Sequence, residues 1–569
     1  MAYLPAAILF LAFCGWKFTL GLEHVLDLRL GDETKYLSYA LGYALPSDPA
    51  EWSPLYVDLY RLEHFFVRDP IDLYFFHQRL IAALLPICMF VYFACRRVPT
   101  TLALASATYL MISAANLPVE PKTMHLALSI MFLFISIFVC LGEHPARWAV
   151  MLAGAALLSL VRPEYAIALI GFVLYAAYLI AATRARDRSL LLHVAIGSIL
   201  VALLYAHYGF PMYGGRSVFA FAQHFALNYS AWNHWAQDPW SSDYEQIFNS
   251  VFPHASSIFG ALIANPSAFS HHLLSNLIHS PVMLGGLFFG HFNFILPRFK
   301  LYTWAEAILL LAALAAFVVF HRARGSLSFD LSLRPSDGGY RAHASAIFTR
   351  ILHSLPETIC LIIFQLPFVL MMLILYPRNH YVLGFGAILF ALAVVLLSRR
   401  LHGGGTRANG LIVAAVLAVI VPNLGAVGAR VDATMGEWSV VPRPALQTAY
   451  FLRGLGIKSM VRVCSAVTPA AGIYAGGNFE SVSALDKHQD LAGFLKADGI
   501  GIIVEDDRMR QSPAFYKDPA WQIFQTTPGK FGFAAHDLPD SGGTVVFVRE
   551  DLAPAERRLA LPESSGPPS

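Results

Sequence analysis

Apolar runs long enough to cross a bilayer recur along most of this 569-residue chain, and no other feature of the sequence restricts its fold so severely. A helix rises ~1.5 Å per residue, so ~20 apolar residues cover the roughly 30 Å of a hydrocarbon core. Inside that core each backbone N–H and C=O needs a partner within the protein, which leaves only helices or closed barrels. Continuous apolar runs select helices. Spans are expected near residues 3–22, 79–95, 101–117, 123–141, 148–161, 165–182, 190–207, 302–320, 351–376, 381–397 and 410–428, about eleven in all. Only 14% of the residues are charged, against roughly 25% in an ordinary soluble domain.

Charge then orients the spans. Arg96 and Arg97, Arg147, the Arg184–Arg188 cluster, the 322–350 segment and Arg399, Arg400 and Arg407 all fall on one side if the first span runs outward. The positive-inside rule makes that side cytoplasmic. The N-terminus is then cytoplasmic, and three sizeable pieces face outward: loops of about 23–78 and 208–300, and a C-terminal region from about residue 429. The apolar stretch 282–297 would break this alternation if it crossed, so it is expected to be re-entrant or interfacial. The first apolar run has no basic leader and no small-residue cleavage site, so it is expected to be a retained span. Basic residues are dispersed rather than gathered on a face, so the formal charge of +3 does not point to a nucleic-acid partner. Five of the six cysteines lie in apolar runs, and no disulfide framework or zinc spacing follows. Residues 1–428 are thus expected to be a helical membrane module. Residues 429–569 alternate helix-like and strand-like patterns, as in a small extracytoplasmic α/β domain, and end in a disordered tail.

Polar residues at outward span ends are the candidates for chemistry. Asp32 and Glu33 open "LGDETKYLSYALGYAL", Glu120 and Lys122 sit in "LPVEPKTMH", Arg162 and Glu164 in "LVRPEY", and Arg378, Asn379 and His380 in "LYPRNHYVLGF". Asp32 could simply cap a helix, Glu33 could simply face solvent, and Arg162 could simply pair with Glu164. Lys122, Arg162 and Arg378, however, are cations where the positive-inside bias discourages them, and such intramembrane-edge charges usually serve a partner. As a set, with His380, they suit an anionic phosphate headgroup. Trp232 and Trp235 lie in an aromatic-rich stretch that reads as an interfacial belt, or alternatively as a sugar-stacking surface. Hard oxygens at Asp32 and Glu120 would be the ligands of a divalent cation such as Mg²⁺ or Mn²⁺, an option rather than a requirement.

The acidic pair opening a long first external loop, the roughly eleven spans, the segment "YPRNHYVLGFGAILF" and the outward C-terminal domain resemble the GT-C superfamily of integral-membrane glycosyltransferases. The bacterial aminoarabinose-transferase and protein mannosyltransferase type is the nearest in pattern. This chain departs from the usual late "PRYLLP" motif, with Asn379 and His380 before Tyr381 and no proline after it. The resemblance implies a bacterial inner-membrane enzyme that moves a sugar from a polyprenyl phosphate or diphosphate to a lipid, glycan or protein acceptor at the external face. Asp32 is then the expected base, with Glu33 beside it. Lys122, Arg162, Arg378 and His380 would hold the donor phosphate, and Glu120, Glu164, Trp232 and Trp235 would orient the acceptor. The rival class is a transporter or flippase of a lipid-linked or small anionic substrate, whose polar groups would sit near mid-membrane in broken, repeat-related helices.

Overall fold

The computed structural model of the protein describes residues 4–44, 49–112, 116, 122–182, 187–211, 216–235, 244–289, 356–403, 443–467, 471–484, 487 and 489–552. The principal helices are α1 (Leu4–Phe18), α2 (Asp32–Leu41), α3 (Pro54–His64), α4 (Pro70–Cys95), α5 (Thr100–Ile112), α6 (Thr123–Leu141), α7 (Ala146–Val161), α8 (Ala166–Ala182), α9 (Arg188–Tyr208), α10 (Arg216–Trp232), α11 (Pro266–Phe289), α12 (Pro356–Ile374) and α13 (Asn379–Gly403). A C-terminal domain follows, with α14 (Pro444–Gly454), β1 (Val461–Ser465), α15 (Gly472–Ala475), β2 (Phe479–Ser483), β3 (Ile500–Glu505), β4 (Phe533–Asp537) and β5 (Val545–Arg549).

Among the described residues six helical stretches are long and apolar enough to cross a membrane: Pro70–Cys95, Thr123–Leu141, Pro163–Ala182, Arg188–Tyr208, Pro356–Ile374 and His380–Arg399. Leu4–Phe18, Thr100–Met111 and Ala146–Val161 are shorter apolar helices at three further expected positions. The expected spans at 302–320 and 410–428 lie outside the described residues. Of the stretch 282–297, residues 282–289 form the end of α11, and the remainder also lies outside them.

Local chemistry explains the helix ends. Asp69 caps α4, its carboxylate accepting from the amides of Ile71 and Asp72 at 2.9 and 3.1 Å, with Pro70 at the first helical position. Asp187 caps α9 through the Leu190 amide. Within the spans, Ser129 and Ser136 return their hydroxyls to the carbonyls four residues back, so neither exposes an unsatisfied donor to lipid. Helix α4 packs on α1, α5 and α6, and α7 bridges α6, α8 and α9. Helix α13 packs on α11 and α12. Where α12 meets α13, a Cβ on Gly384 would come within 2.4 Å of the Phe368 ring, so only glycine permits that approach.

The C-terminal domain carries a five-stranded sheet of order β2-β1-β3-β5-β4. Strands β2, β1 and β3 are parallel, and β5 and β4 extend the sheet antiparallel. All six residues of β3 are buried, as expected for a central strand covered on both faces.

Candidate active site

The site is built around the turn that starts α2. Its N-cap is Gly31 at φ +87°, a backbone conformation in which a Cβ would be strained. The N-cap position considered for Asp32 falls on Gly31, and Asp32 is the first helical residue. Neighbouring helical residues point about 100° apart, so the two carboxylates part company. The Asp32 side chain is 64% exposed and pairs with Arg216 at 3.3 Å.

Glu33 turns inward, which corrects its solvent-facing reading. The reason is that α2 packs this face on α3, whose inward tyrosines form a polar chamber. Tyr56 donates to both Glu33 oxygens at 3.1 and 3.3 Å, and Tyr60 donates as well. Behind them, His77 of α4 stacks on the Tyr60 ring at 3.8 Å and bonds through Nδ1 to Glu63 at 2.9 Å. Burial pushes the Glu33 carboxyl up to about 7, against the opposing pull of His77, Tyr60, Tyr56 and Lys122.

Around this turn the start of α6, the junction before α8, the start of α10 and the start of α13 each contribute a cation. Arg216 begins α10. Its Nη1 donates to the Glu51 carbonyl at 2.7 Å, and its guanidinium lies 4.2 Å from the Trp52 ring centre, a ring also met by Lys35 at 4.3 Å. Lys122 occupies the N-cap position of α6. Burial brings its pKa down to about 8, with Arg29 and Arg378 acting in the same direction and Glu33 and Asp32 opposing. Arg378 precedes α13 and lies in the fields of Tyr381, Asp32 and Arg29. His380 is close enough to feel Arg162, Lys122 and Arg378, and its ring sits 4.1 Å from that of Tyr381.

Arg162 makes the structural pair with Glu164, donating from Nε at 2.8 Å and from Nη2 to the same oxygen. It also donates to Thr123 Oγ1 at 3.2 Å and lies 5.3 Å from the Tyr381 ring centre, within the field of Arg216. Glu164 is thereby taken up by Arg162. Glu120 lies outside the described residues. Trp232 ends α10, some 24 Å from Arg216 by helical rise. Trp232 stacks on His271 at 4.0 Å and donates to Ser275 Oγ at 3.1 Å.

The loop carrying Arg378 is held from outside its own helices. Asn276 Nδ2 donates to the Leu373 and Leu375 carbonyls at 2.7 and 3.1 Å, and His272 Nε2 lies 2.9 Å from the Ile374 carbonyl. A carbonyl cannot donate, so Nε2 carries the proton and Nδ1 accepts from Asn228 at 2.9 Å. Two side chains of α11 thus satisfy carbonyls that the end of α12 leaves open.

Arg29 and Arg216 join this cluster without a distinguishing signal in the sequence. Both were visible as cations on an outward piece, the signal that marked Lys122, but the external loops hold several such residues and the signal alone does not choose among them. A group of three or more His, Cys, Asp or Glu side chains suited to a metal does not occur among the described residues.

No protein-family model matches the sequence, and no curated protein matches it. Among solved structures, the chain is similar to an oligosaccharyltransferase from the archaeon Archaeoglobus fulgidus, in one structure as a complex with Zn and sulfate and in another with an inhibitory peptide and a dolichol-phosphate. Each alignment has 13% identity and a TM-score of 0.44, and covers 96% of this chain and 74% of the other.

Proposed function

We propose that the chain is an integral-membrane glycosyltransferase of the GT-C type, taking a sugar from a polyprenyl phosphate or diphosphate at the external face of a bacterial inner membrane. One observation carries this reading. Lys122, Arg216 and Arg378, from widely separated segments, lie in the field of the exposed Asp32 carboxylate, with Arg29 beside Lys122 and Arg378 and Arg162 beside Arg216. A cation at a helix N-terminus opposes the helix dipole, so Lys122 and Arg216 do not stabilise the helices they begin. Helix starts and cations together form a field suited to a phosphate.

In the proposed reaction the acceptor hydroxyl oxygen attacks the anomeric carbon while Asp32 takes its proton. The bond from the anomeric carbon to the phosphate oxygen breaks, and its electron pair leaves on that oxygen. Arg216 aims the Asp32 carboxylate, and Lys122 and Arg378 stabilise the charge that develops on the leaving phosphate. Glu33, enclosed by Tyr56 and Tyr60, supports the turn from behind rather than meeting the acceptor. The cations that favour a phosphate oppose a dication here, and Glu120, the other expected ligand, lies outside the described residues. No step is assigned to Mg²⁺ or Mn²⁺.

The test is transfer by purified protein from a panel of radiolabelled polyprenyl-phosphate sugars to lipid, glycan and peptide acceptors. Asp32→Asn should lower turnover by about 10²–10⁴-fold, the range of general-base catalysis. Equal turnover by the variant would remove Asp32 as base, and movement of the lipid-linked sugar across a bilayer without transfer would favour the flippase.

A further inference from the structure

The strap Leu26–Gly31 leads from the short helix Leu22–Val25 to the Asp32 turn, and it is gripped by the C-terminal domain. The Asp27 carboxylate accepts from the amides of Ala445 and Leu446 at 3.0 and 2.8 Å. Helix α14 has no side-chain cap of its own, so Asp27 supplies the missing acceptor from more than 400 residues away. Arg443 Nη1 donates to the Glu23 carbonyl at 3.2 Å.

The second grip lies closer to the reaction. Tyr474 of α15 is fully buried and donates its hydroxyl to the Arg29 carbonyl at 2.6 Å. That carbonyl is three residues before Asp32 and also receives the Thr34 hydroxyl at 3.3 Å. The Tyr474 ring stands edge-on to Tyr74 of α4 at 5.6 Å. Arg453 holds the arrangement together, donating to the Tyr474 carbonyl at 2.9 Å and pairing with Asp69, the cap of α4, at 2.8 Å. The strap is therefore fixed at Asp27 and Arg29 by groups that belong to another domain.

We infer that Tyr474 and Asp27 are positioning residues for the Asp32 carboxylate and the Arg29 side chain, and that the docked C-terminal domain is a working part of the catalytic centre. The inference rests on the proposed transferase reading. Freed of Tyr474, the Arg29 peptide would relax, Gly31 would lose its enforced geometry, and Asp32 would swing from the line of attack. Misplacement on this scale harms the chemical step more than substrate binding, since the donor is held chiefly by cations on other elements.

The experiment uses the full-length protein in lipid nanodiscs. Tyr474→Phe removes one hydroxyl and keeps the ring against Tyr74. Its kcat per folded molecule should fall at least tenfold with donor KM within about threefold, and Asp27→Asn should show the same split. Arg462→Ala, on β1 of the same domain, should leave kcat unchanged. Hydrogen exchange at the amides of residues 30–36 should quicken at least tenfold in Tyr474→Phe, a readout that needs no turnover. Unchanged kcat and unchanged exchange in a folded Tyr474→Phe would overturn the inference. If the wild type transfers no sugar, the transferase reading fails. The exchange measurement then still decides whether the domain holds the strap, and unchanged exchange would again overturn it.

Discussion

At the scale of single residues, the site depends on carboxylates and amines taken out of water. Glu33 is faced by Tyr56, Tyr60, His77 and Lys122, and its carboxyl stands at about 7 against an ordinary 4.5. The folded state therefore holds a proton that the unfolded state releases between those values, and stability should fall as pH rises from about 4.5 through 7. The loss is on the order of 3 kcal/mol, and Glu33→Gln should flatten it in melting curves recorded across that range. For Lys122 the shift runs downward and bears on function. Lowered to about 8, it loses its charge as pH rises through that value, so donor KM should climb above pH 8 in the wild type and stay flat to about pH 9.5 in Lys122→Arg. A wild-type KM that is level across this window would remove Lys122 from donor binding. Lys122, Arg162 and Arg378 stand out in the sequence as cations where the positive-inside bias discourages them, and Asp32 as half of an acidic pair just past the first apolar run. The burial of Glu33 was not legible, because it depends on Tyr56 and Tyr60 arriving from a different helix.

At the scale of elements, the spans were legible because a bilayer demands long apolar runs, and nine of those expected coincide with apolar helices. What the sequence could not show is how one helix finishes another. Asn228, His272 and Asn276 look like ordinary polar interruptions, yet Asn276 satisfies carbonyls nearly 100 residues further along the chain. Asn276→Leu should strand two carbonyls, lower stability by about 1–3 kcal/mol and raise donor KM by loosening the Arg378 loop. Thermal melts paired with donor titrations would measure both, and an unchanged KM would separate this clamp from the site.

At the scale of the whole molecule, two ends of the helical bundle differ in character. One gathers Asp32 with its cations, and the other pairs Arg96 with Glu357 at 2.9 Å. Cys140, the exposed cysteine among the six, lies at this second end, in the last turn of the α6 span that Lys122 precedes. A membrane-impermeant maleimide should label it from the cytoplasmic side alone, and labelling from outside would invert the proposed orientation. The α/β character of the C-terminal domain was legible in its alternating patterns, but its seat on residues 23–31 was not, since no local signal links Asp27 to Ala445. That trans-cap has a consequence for biogenesis. The acceptor for α14 is made more than 400 residues before α14 itself, so a chain cut short of residues 445 and 446 would carry Asp32 on an untethered strap.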